Sequence, residues 1–315
     1  MTRPTSELSL DEIRHALSNY ALCVASPPQR LKSGVANLSY LVETQRDPVV
    51  LTVLDNHDED SAKRLVELTN RLLSLGVSTP PIWPMLNGAQ IAMAPRGQPI
   101  VVRPFVRGQE ADARNPLHCH AIGASLAQVH RNVDGVRYGD DVRRLPNDWR
   151  KRLGECDDED LIAWIAQQES ALAAVDQLDL PRGFTHGDLF PDNVVVQGVD
   201  DVVLLDWETY AHEFFVYDLA ITILGVGLVD LAAGIHLLAG YEKHRPLQSE
   251  ERRYLGICFD YACALLAFNR YHRHNILYPN TGRTHLYQSL FGWCRNLSES
   301  DRKTLGIGSL PEVPI

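Results

Sequence analysis

The pattern of apolar and polar positions divides the chain into a strand-rich first part and a helical second part. Alternating or β-branched apolar runs predict strands, and apolar residues at intervals of three and four predict helices. In the first part the pattern predicts a short helix opened by a capping box of Ser9 and Glu12, and a longer helix over 58–75. It also predicts strands within 31–44, 48–55, 89–95 and 98–106.

Helical patterns dominate beyond residue 108. Helical segments are predicted over 118–130, 157–177, 219–244 and 252–274. The segment 181–210 between them is predicted to be loop, strand, turn, strand and loop. Together these patterns predict an α+β fold with an N-terminal part, 1–103, and a larger C-terminal part, 104–315.

The composition restricts the class of protein. The chain has 315 residues, of which 45% are hydrophobic, and its formal charge is −10 with histidine neutral. This acidic balance argues against a nucleic-acid partner, and the longest apolar stretch, 219–229, is too short to cross a bilayer. Six cysteines without a paired spacing, and an opening without a basic-then-apolar leader, predict a cytoplasmic location with reduced thiols. The oligomeric state stays open.

Candidate chemistry is concentrated in residues 186–193, HGDLFPDN, and in the apolar run that ends at Asp206. Acid and amide groups beside buried strands are costly unless a ligand or a charge compensates them. Phosphoryl transfer uses such groups, because it needs a carboxylate near the attacking hydroxyl and oxygen ligands for a metal ion. A hairpin near Gly198 would bring Asp206 beside Asn193 as Mg²⁺ ligands, with Asp188 as the base.

The order H-G-D-x-x-x-x-N, followed by an aspartate in an apolar strand, resembles the aminoglycoside phosphotransferase and choline kinase group of the protein-kinase-like superfamily. Longer stretches are similar to type II homoserine kinases: LPRGFTHGDLFPDNV at 180–194, YDLAI at 217–221, and GVANLSYLV with VVLTVLD in the first part. The resemblance extends over about residues 30 to 295. It implies a two-lobed protein-kinase-like fold, with a small β-rich N-lobe and a larger, mainly helical C-lobe.

The resemblance also implies roles for single residues. Asp188 would be the catalytic aspartate near the acceptor hydroxyl, and His186 would brace its loop. Asn193 and Asp206 would be the Mg²⁺ ligands. Asp218 would accept backbone hydrogen bonds from the loop while starting the next helix.

For ATP, the resemblance implies a loop over the phosphates at 34–40 and a hinge within 101–106. The implied nucleotide-binding residues are Gly34, Asn37, Ser39, Thr52, Arg103 and Phe105. Gly34 would look the same in an ordinary hairpin turn, and Arg103 also fits an ion pair at the lobe junction. Thr52 stands where most of the superfamily has lysine, although type II homoserine kinases look similar in having threonine there. Lys32 is a possible substitute, and the choice between ATP and GTP stays open.

The acceptor is expected to be a small hydroxyl-bearing molecule, best matched by homoserine or a related amine. The segment after Asp206, WETYAHEFF, departs from the homoserine kinase pattern. Glu208 and Glu213 would suit a substrate amine, but solvated loop acids fit equally. Arg270 would suit an acceptor pocket or a helix end complementing the dipole. The alternatives are an aminoglycoside, another antibiotic or choline as acceptor, and a non-catalytic nucleotide-binding module favoured by Thr52.

Three histidines on the predicted 118–130 helix suggest a metal site at first sight. The spacing places His118 and His120 on different faces, so solvated side chains are expected instead of metal ligands. The family resemblance gives His130 a structural role.

Overall fold

The computed structural model describes residues 7–31, 37–55, 57–134, 136, 144–198 and 201–308. The α-helices are α1 Leu10–Ser18, α2 Glu59–Ser74, α3 Pro116–Asn132, α4 Trp149–Arg152, α5 Glu159–Val175, α6 Phe215–Gly227, α7 Ala233–His244, α8 Ser249–Tyr271, α9 Leu286–Arg295 and α10 Glu299–Leu305. A 3₁₀ turn covers Pro191–Asn193, and a π-helical segment, His272–Leu277, continues α8.

The strands are β1 Gln29–Arg30, β2 Leu38–Val42, β3 Val49–Val53, β4 Ala92–Met93, β5 Pro99–Pro104, β6 Gln109–Glu110, β7 Arg182–Thr185, β8 Val194–Val196, β9 Val202–Leu204 and β10 Ala211–Phe214. They form a five-stranded sheet in the order β1-β2-β3-β5-β4, a three-stranded sheet in the order β6-β8-β9, and the pair β10-β7.

The described residues form two compact units. The first contains residues 7–109 together with 136 and 203–205, and the second contains 110–134, 144–202 and 206–308. The first unit is rich in strands and the second is mainly helical, as the predicted α+β class requires. The boundary after residue 103 stays a prediction.

The first unit is built on an antiparallel sheet with one core face. Tyr40, Leu51 and Val102 are paired across β2, β3 and β5 and are buried, and α1 contributes Ile13 and Leu17 to the same core. The predicted capping box of α1 is confirmed, because the Ser9 hydroxyl accepts from the backbone N–H of Glu12 and the Glu12 carboxylate accepts from that of Ser9. Because side chains alternate along a strand, the neighbouring positions face away from this core.

The second unit depends on a close contact between α3 and α7. A Cβ atom at Gly123 would lie 1.9 Å from the carbonyl oxygen of Leu237, and one at Gly240 would lie 2.0 Å from that of His120. Any larger residue at either glycine would therefore push the helices apart. This approach places His130 of α3 within 2.7 Å of the Tyr241 hydroxyl on α7.

The pairing of β7 with β10 was not predicted. Residues 182–185 were expected to be loop and no element was predicted for 211–214, whereas the two segments form antiparallel strands with Thr185 opposite Ala211 and Phe184 opposite His212. Four-residue strands that contain glycine or charged residues carry too little periodicity to be recognised. Helix α6 begins at Phe215, four residues earlier than expected.

The expectation of a solvated histidine on α3 was wrong for His118, whereas the burial of His130 agrees with the structural role that the family resemblance gives it. His118 and His130 are buried at 8% and 5% exposure, and the Nδ1 atom of His118 accepts from the backbone N–H of Asp112 at 3.0 Å. The described residues contain no group of three His, Cys, Asp or Glu side chains arranged to hold an ion. Within the same residues no helix is long and apolar enough to cross a membrane.

Candidate active site

The loop after β7 is fixed to the start of α6 by Asp218. One carboxylate oxygen of Asp218 accepts from the backbone N–H of His186 at 2.8 Å, and the other accepts from that of Gly187 at 2.7 Å. Gly187 has φ +80°, a conformation that costs a residue with a side chain about 1 kcal/mol or more. The predicted role of Asp218 as acceptor for the loop backbone is therefore confirmed.

Asp218 is itself held by a buried hydrogen-bond chain. Its carboxylate lies 3.0 Å from Nε2 of His130, and Nδ1 of His130 lies 2.7 Å from the hydroxyl of Tyr241. A neutral imidazole that donates from Nε2 and accepts at Nδ1 satisfies both contacts. The Tyr241 hydroxyl in turn accepts from Arg245 at 3.0 Å, and Arg245 forms an ion pair with the buried Glu251.

Burial and hydrogen bonding act in opposite directions on the pKa values of this pair. Burial opposes ionisation of Asp218, but the bonds from His130 and from the His186 backbone outweigh it and lower the pKa of Asp218. Burial lowers the pKa of His130 more than Asp218 raises it. The pair is thus an ionised carboxylate with a neutral histidine, which agrees with an imidazole that donates from Nε2 and accepts at Nδ1.

The second half of the loop positions Asn193 against Asp188. The side-chain amide of Asn193 donates to the backbone carbonyl of Asp188 at 2.7 Å, and that carbonyl also accepts from the backbone N–H of Phe190 at 2.8 Å. The backbone N–H of Asp188 lies 3.3 Å from Nδ1 of His186. Both side chains, Asp188 and Asn193, are half-buried, so they are ordered by the loop yet reachable from solvent.

Asp206 follows β9 with a strained backbone. Its φ is +56°, in the left-handed region that non-glycine residues seldom adopt, and its side chain is exposed. The next residue, Trp207, is fully buried with its ring centroid 4.4 Å from that of His186. Thr209 donates its hydroxyl to the carbonyl of His186 at 3.1 Å. These contacts tie the segment after β9 to the loop from His186 to Asn193.

The residues present fit a divalent metal with oxygen ligands. Because the Asn193 amide nitrogen is used by the Asp188 carbonyl, its oxygen is the atom left to coordinate an ion. The Asp206 carboxylate is exposed beside a strained backbone, and such strain is concentrated at functional sites. One amide and one carboxylate oxygen suit a hard cation that takes its other ligands from phosphates and water.

Three of the predicted nucleotide-binding residues share the sheet face opposite the first unit's core. Ser39 and Thr52 are paired across β2 and β3 with their hydroxyl oxygens 3.1 Å apart, and Arg103 is paired with Val50 on the same face. The side-chain oxygen of Asn37 accepts from the backbone N–H of Asp55 at 3.1 Å.

The predicted hinge is partly used within the first unit, since the backbone N–H of Phe105 donates to the carbonyl of Pro48 at 3.0 Å. An adenine contact at Phe105 would therefore involve another atom of this residue. Gly34 and Lys32 lie outside the described residues.

Comparison with known proteins decides the family. The model of the APH phosphotransferase enzyme family matches residues 28–253, more than half of the chain. The chain belongs to this family. A homoserine kinase from Rhizobium etli is 27% identical over 261 residues, which cover 78% of this chain and 80% of the relative. The resemblance found in the sequence is confirmed, and this phosphotransferase is a small-molecule kinase.

Solved structures confirm the protein-kinase-like fold. An amicoumacin kinase in complex with AMP-PNP and Ca²⁺ has a TM-score of 0.72 at 14% identity, covering 95% of this chain and 94% of that one. A microcompartment-associated aminopropanol kinase has a TM-score of 0.72 at 18% identity, covering 95% and 99%. At these identities the likeness shows the fold of the phosphotransferase and leaves its acceptor undetermined.

The candidate acceptor residues of the phosphotransferase lie in different environments. Glu213 is 5% exposed, and its carboxylate accepts from Arg144 at 2.7 Å and from the backbone N–H of Phe214 at 2.8 Å. These bonds occupy Glu213, so the structure favours a structural pairing over contact with a substrate amine. Glu208 is half-buried, and Arg270 is half-buried near the end of α8.

Sequence reasoning missed the partners that complete the site of this phosphotransferase. Tyr241, Thr209 and Trp207 contact the His130–Asp218 pair or the loop, and Arg144 neutralises Glu213. No local motif marks them. The only sequence signal was the family resemblance, which gave His130 a structural role.

Proposed function

We propose that this phosphotransferase transfers the γ-phosphate of ATP to the hydroxyl of homoserine or of a related hydroxyl-bearing amine. The observation that carries the proposal is the catalytic loop, in which Asp188 and Asn193 are linked through the Asp188 carbonyl and the loop is fixed by Asp218. The homoserine kinase relatives support the choice of acceptor.

Asp188 is proposed to accept the proton of the acceptor hydroxyl. Its backbone is held on both sides, by His186 at the N–H and by Asn193 at the carbonyl, so the carboxylate is positioned before the acceptor binds. Positioning of this kind lowers the entropic cost of reaching the reactive geometry. His186 acts on Asp188 through the backbone and is a positioning residue.

Asn193 and Asp206 are proposed to hold Mg²⁺. Bound there, the ion would neutralise the charge that develops on the phosphate oxygens. Asn193 is oriented by its bond to the Asp188 carbonyl, so the same contact that positions the base also positions one metal ligand. Glu208 is proposed to face the amine of the acceptor.

The first unit is proposed to bind the nucleotide through the sheet face that carries Ser39, Thr52 and Arg103. The paired hydroxyls of Ser39 and Thr52 place neutral donors where other members of the superfamily have a lysine charge. Asn37 and the backbone of the 34–40 loop would complete the phosphate contacts, with Gly34 and Phe105 as the remaining proposed positions.

The test is a transfer assay with a panel of acceptors. The protein is incubated with ATP and Mg²⁺ and with homoserine, ethanolamine, choline or an aminoglycoside, and phosphorylated product is measured by mass spectrometry. We expect transfer to homoserine. Transfer only to choline or to an aminoglycoside would replace the acceptor, and nucleotide binding without transfer to any acceptor would leave a non-catalytic module.

Asp188→Asn tests the role of the base. Transfer should fall by about 100-fold or more, the range for loss of a general base, whereas ATP binding measured by calorimetry should be unchanged. Asp201→Asn is the matched control, because it makes the same replacement at an exposed hairpin position of the second unit. Substantial transfer by the Asp188→Asn protein would remove Asp188 from this role.

A further inference from the structure

The end of α8 and the segment after it carry a group of cationic side chains. Arg270 lies in the last turn of α8, His274 in the π-helical segment and Arg283 in the following turn. The carbonyl of His274 accepts from the backbone N–H of Asn280 at 3.0 Å, and the carbonyl of Asn280 accepts from that of Arg283 at 2.8 Å. Burial lowers the pKa of His274, and the charges of Arg273, Arg283 and Arg270 lower it further. We refer to Arg270, His274 and Arg283 as the α8 basic cluster.

No carboxylate among the described residues pairs with the α8 basic cluster. Burial lowers the pKa of Arg270, and among the described residues no carboxylate acts on it. Arg270 and Arg283 are absent from every ion pair found in the described part of the chain. A half-buried arginine is normally paired, so this arrangement costs free energy in the protein alone.

Two acids that contact α9, Asp158 and Asp160, are engaged elsewhere. Asp158 caps α5 by accepting from the backbone N–H of Leu161, and it also accepts from the hydroxyl of Tyr287. Asp160 forms an ion pair with Arg295. Neither acts on the charge of Arg270.

The guanidinium of Arg270 has most of its hydrogen-bonding capacity left. Its only side-chain hydrogen bond to a described residue is to the carbonyl of Leu286, at 3.5 Å, the outer limit for such a bond. An arginine side chain has five N–H donors in a planar fork that matches a carboxylate or phosphate. The π-helical geometry next to it is often found at functional sites.

We propose that the α8 basic cluster binds the anionic group of a small-molecule ligand, with Arg270 as its main contact. The chemistry is that of a carboxylate or phosphate oxygen pair held by a guanidinium fork. The proposal deepens the proposed function and rests on it where the anion is the carboxylate of the acceptor itself. The other source is a free anion that binds the cluster independently of transfer.

A binding experiment tests the cluster without any turnover. α-Aminobutyrate, which is homoserine without its hydroxyl, and inorganic phosphate are each titrated calorimetrically into the unmodified protein and into the Arg270→Gln variant. We expect at least one of the two to bind, with about 10- to 100-fold weaker affinity in the variant, as for loss of a charge-assisted bond. Arg253→Gln is the matched control, because Arg253 is exposed at the other end of α8. This variant should bind both ligands as tightly as the unmodified protein does.

A kinetic experiment separates the two sources of the anion. Homoserine and propanolamine share the hydroxyl, the chain and the amine, but only homoserine has a carboxylate. If the cluster binds the acceptor, Arg270→Gln lowers kcat/KM for homoserine by about 10- to 100-fold, mainly by raising KM. The kcat/KM for propanolamine should then stay within about 3-fold of that of the unmodified protein. If the cluster binds a free anion, Arg270→Gln leaves kcat/KM for both acceptors unchanged and lowers the affinity for phosphate.

The proposal is overturned if neither ligand binds, or if Arg270→Gln binds both as tightly as the unmodified protein. It is also overturned if the variant loses kcat/KM for homoserine and for propanolamine equally, because an equal loss would indicate a structural role for Arg270. Failure of the proposed function is a different result, namely anion binding that depends on Arg270 without transfer to any acceptor.

Discussion

The polar groups beneath the catalytic loop and those at the end of α8 are arranged in opposite ways. In the first region Asp218, His130 and Tyr241 each have partners from the protein, and their chain of hydrogen bonds ends in the Arg245–Glu251 ion pair. In the α8 basic cluster the described residues supply no carboxylate. The difference indicates that the first set is completed by folding, whereas the second is completed by a ligand.

The largest expected effect comes from breaking the first region. Asp218→Asn replaces a carboxylate that accepts two backbone N–H groups with an amide that has one oxygen, so one buried N–H loses its acceptor. We expect the free energy of unfolding to fall by about 3 kcal/mol and transfer to fall with it, as measured by urea denaturation and by product formation. Asp201→Asn is the control and should stay within about 0.5 kcal/mol. Equal stability of the two variants would contradict the description of Asp218 as the anchor of the loop.

An intermediate effect is expected from pH. Because the pKa of His130 is lowered on folding, the unfolded chain binds a proton that the folded protein does not bind below about pH 6.5. Below about pH 6.5, each such group therefore lowers the free energy of unfolding by about 1.4 kcal/mol for every unit by which the pH decreases. The pKa of Asp218 is also lowered, so a second loss follows below about pH 4.

Thermal unfolding from pH 8 to pH 4 measures this dependence. His130→Gln keeps a donor towards Asp218 but removes the titrating imidazole, so its melting temperature should fall less steeply between pH 7 and pH 5 than that of the unmodified protein. His212→Gln changes an exposed histidine of β10 and is the control. Parallel curves for all three proteins would exclude His130 as a source of the pH dependence.

The smallest effect is expected in the α8 basic cluster. Arg283→Gln removes an exposed cation that has no carboxylate partner among the described residues. The free energy of unfolding should change by less than about 0.5 kcal/mol, with a slight gain from reduced repulsion, as measured by urea denaturation. A loss of 2 kcal/mol or more would show that the cluster is stabilised by the protein itself, and the comparison with the catalytic region would no longer hold.

The parts of the molecule that could be predicted from the sequence are those with local causes. The capping box of Ser9 and Glu12 and the helix that begins after Asp58 follow from neighbouring residues, and the structure shows both. The same holds for the internal hydrogen bonds of the loop from His186 to Asn193, which join residues at most five positions apart.

The parts that could not be predicted depend on partners far apart in the chain. His130 and Asp218 are 88 positions apart, and Arg144 and Glu213 are 69 apart. A single histidine on a helix or a glutamate after a strand has the same local pattern whether it is solvated or paired. His130 is buried and paired because α3 packs closely on α7, which Gly123 and Gly240 permit.

Asp206 illustrates how chemistry and stability can favour different residues at one position. Its left-handed backbone would suit glycine at lower conformational cost, yet glycine has no carboxylate. An aspartate kept in this conformation gives up folding free energy of about 1 kcal/mol. Selection for thermostability alone would tend to replace it, and a variant library screened for stability without activity would lose the residue on which the proposed metal site depends.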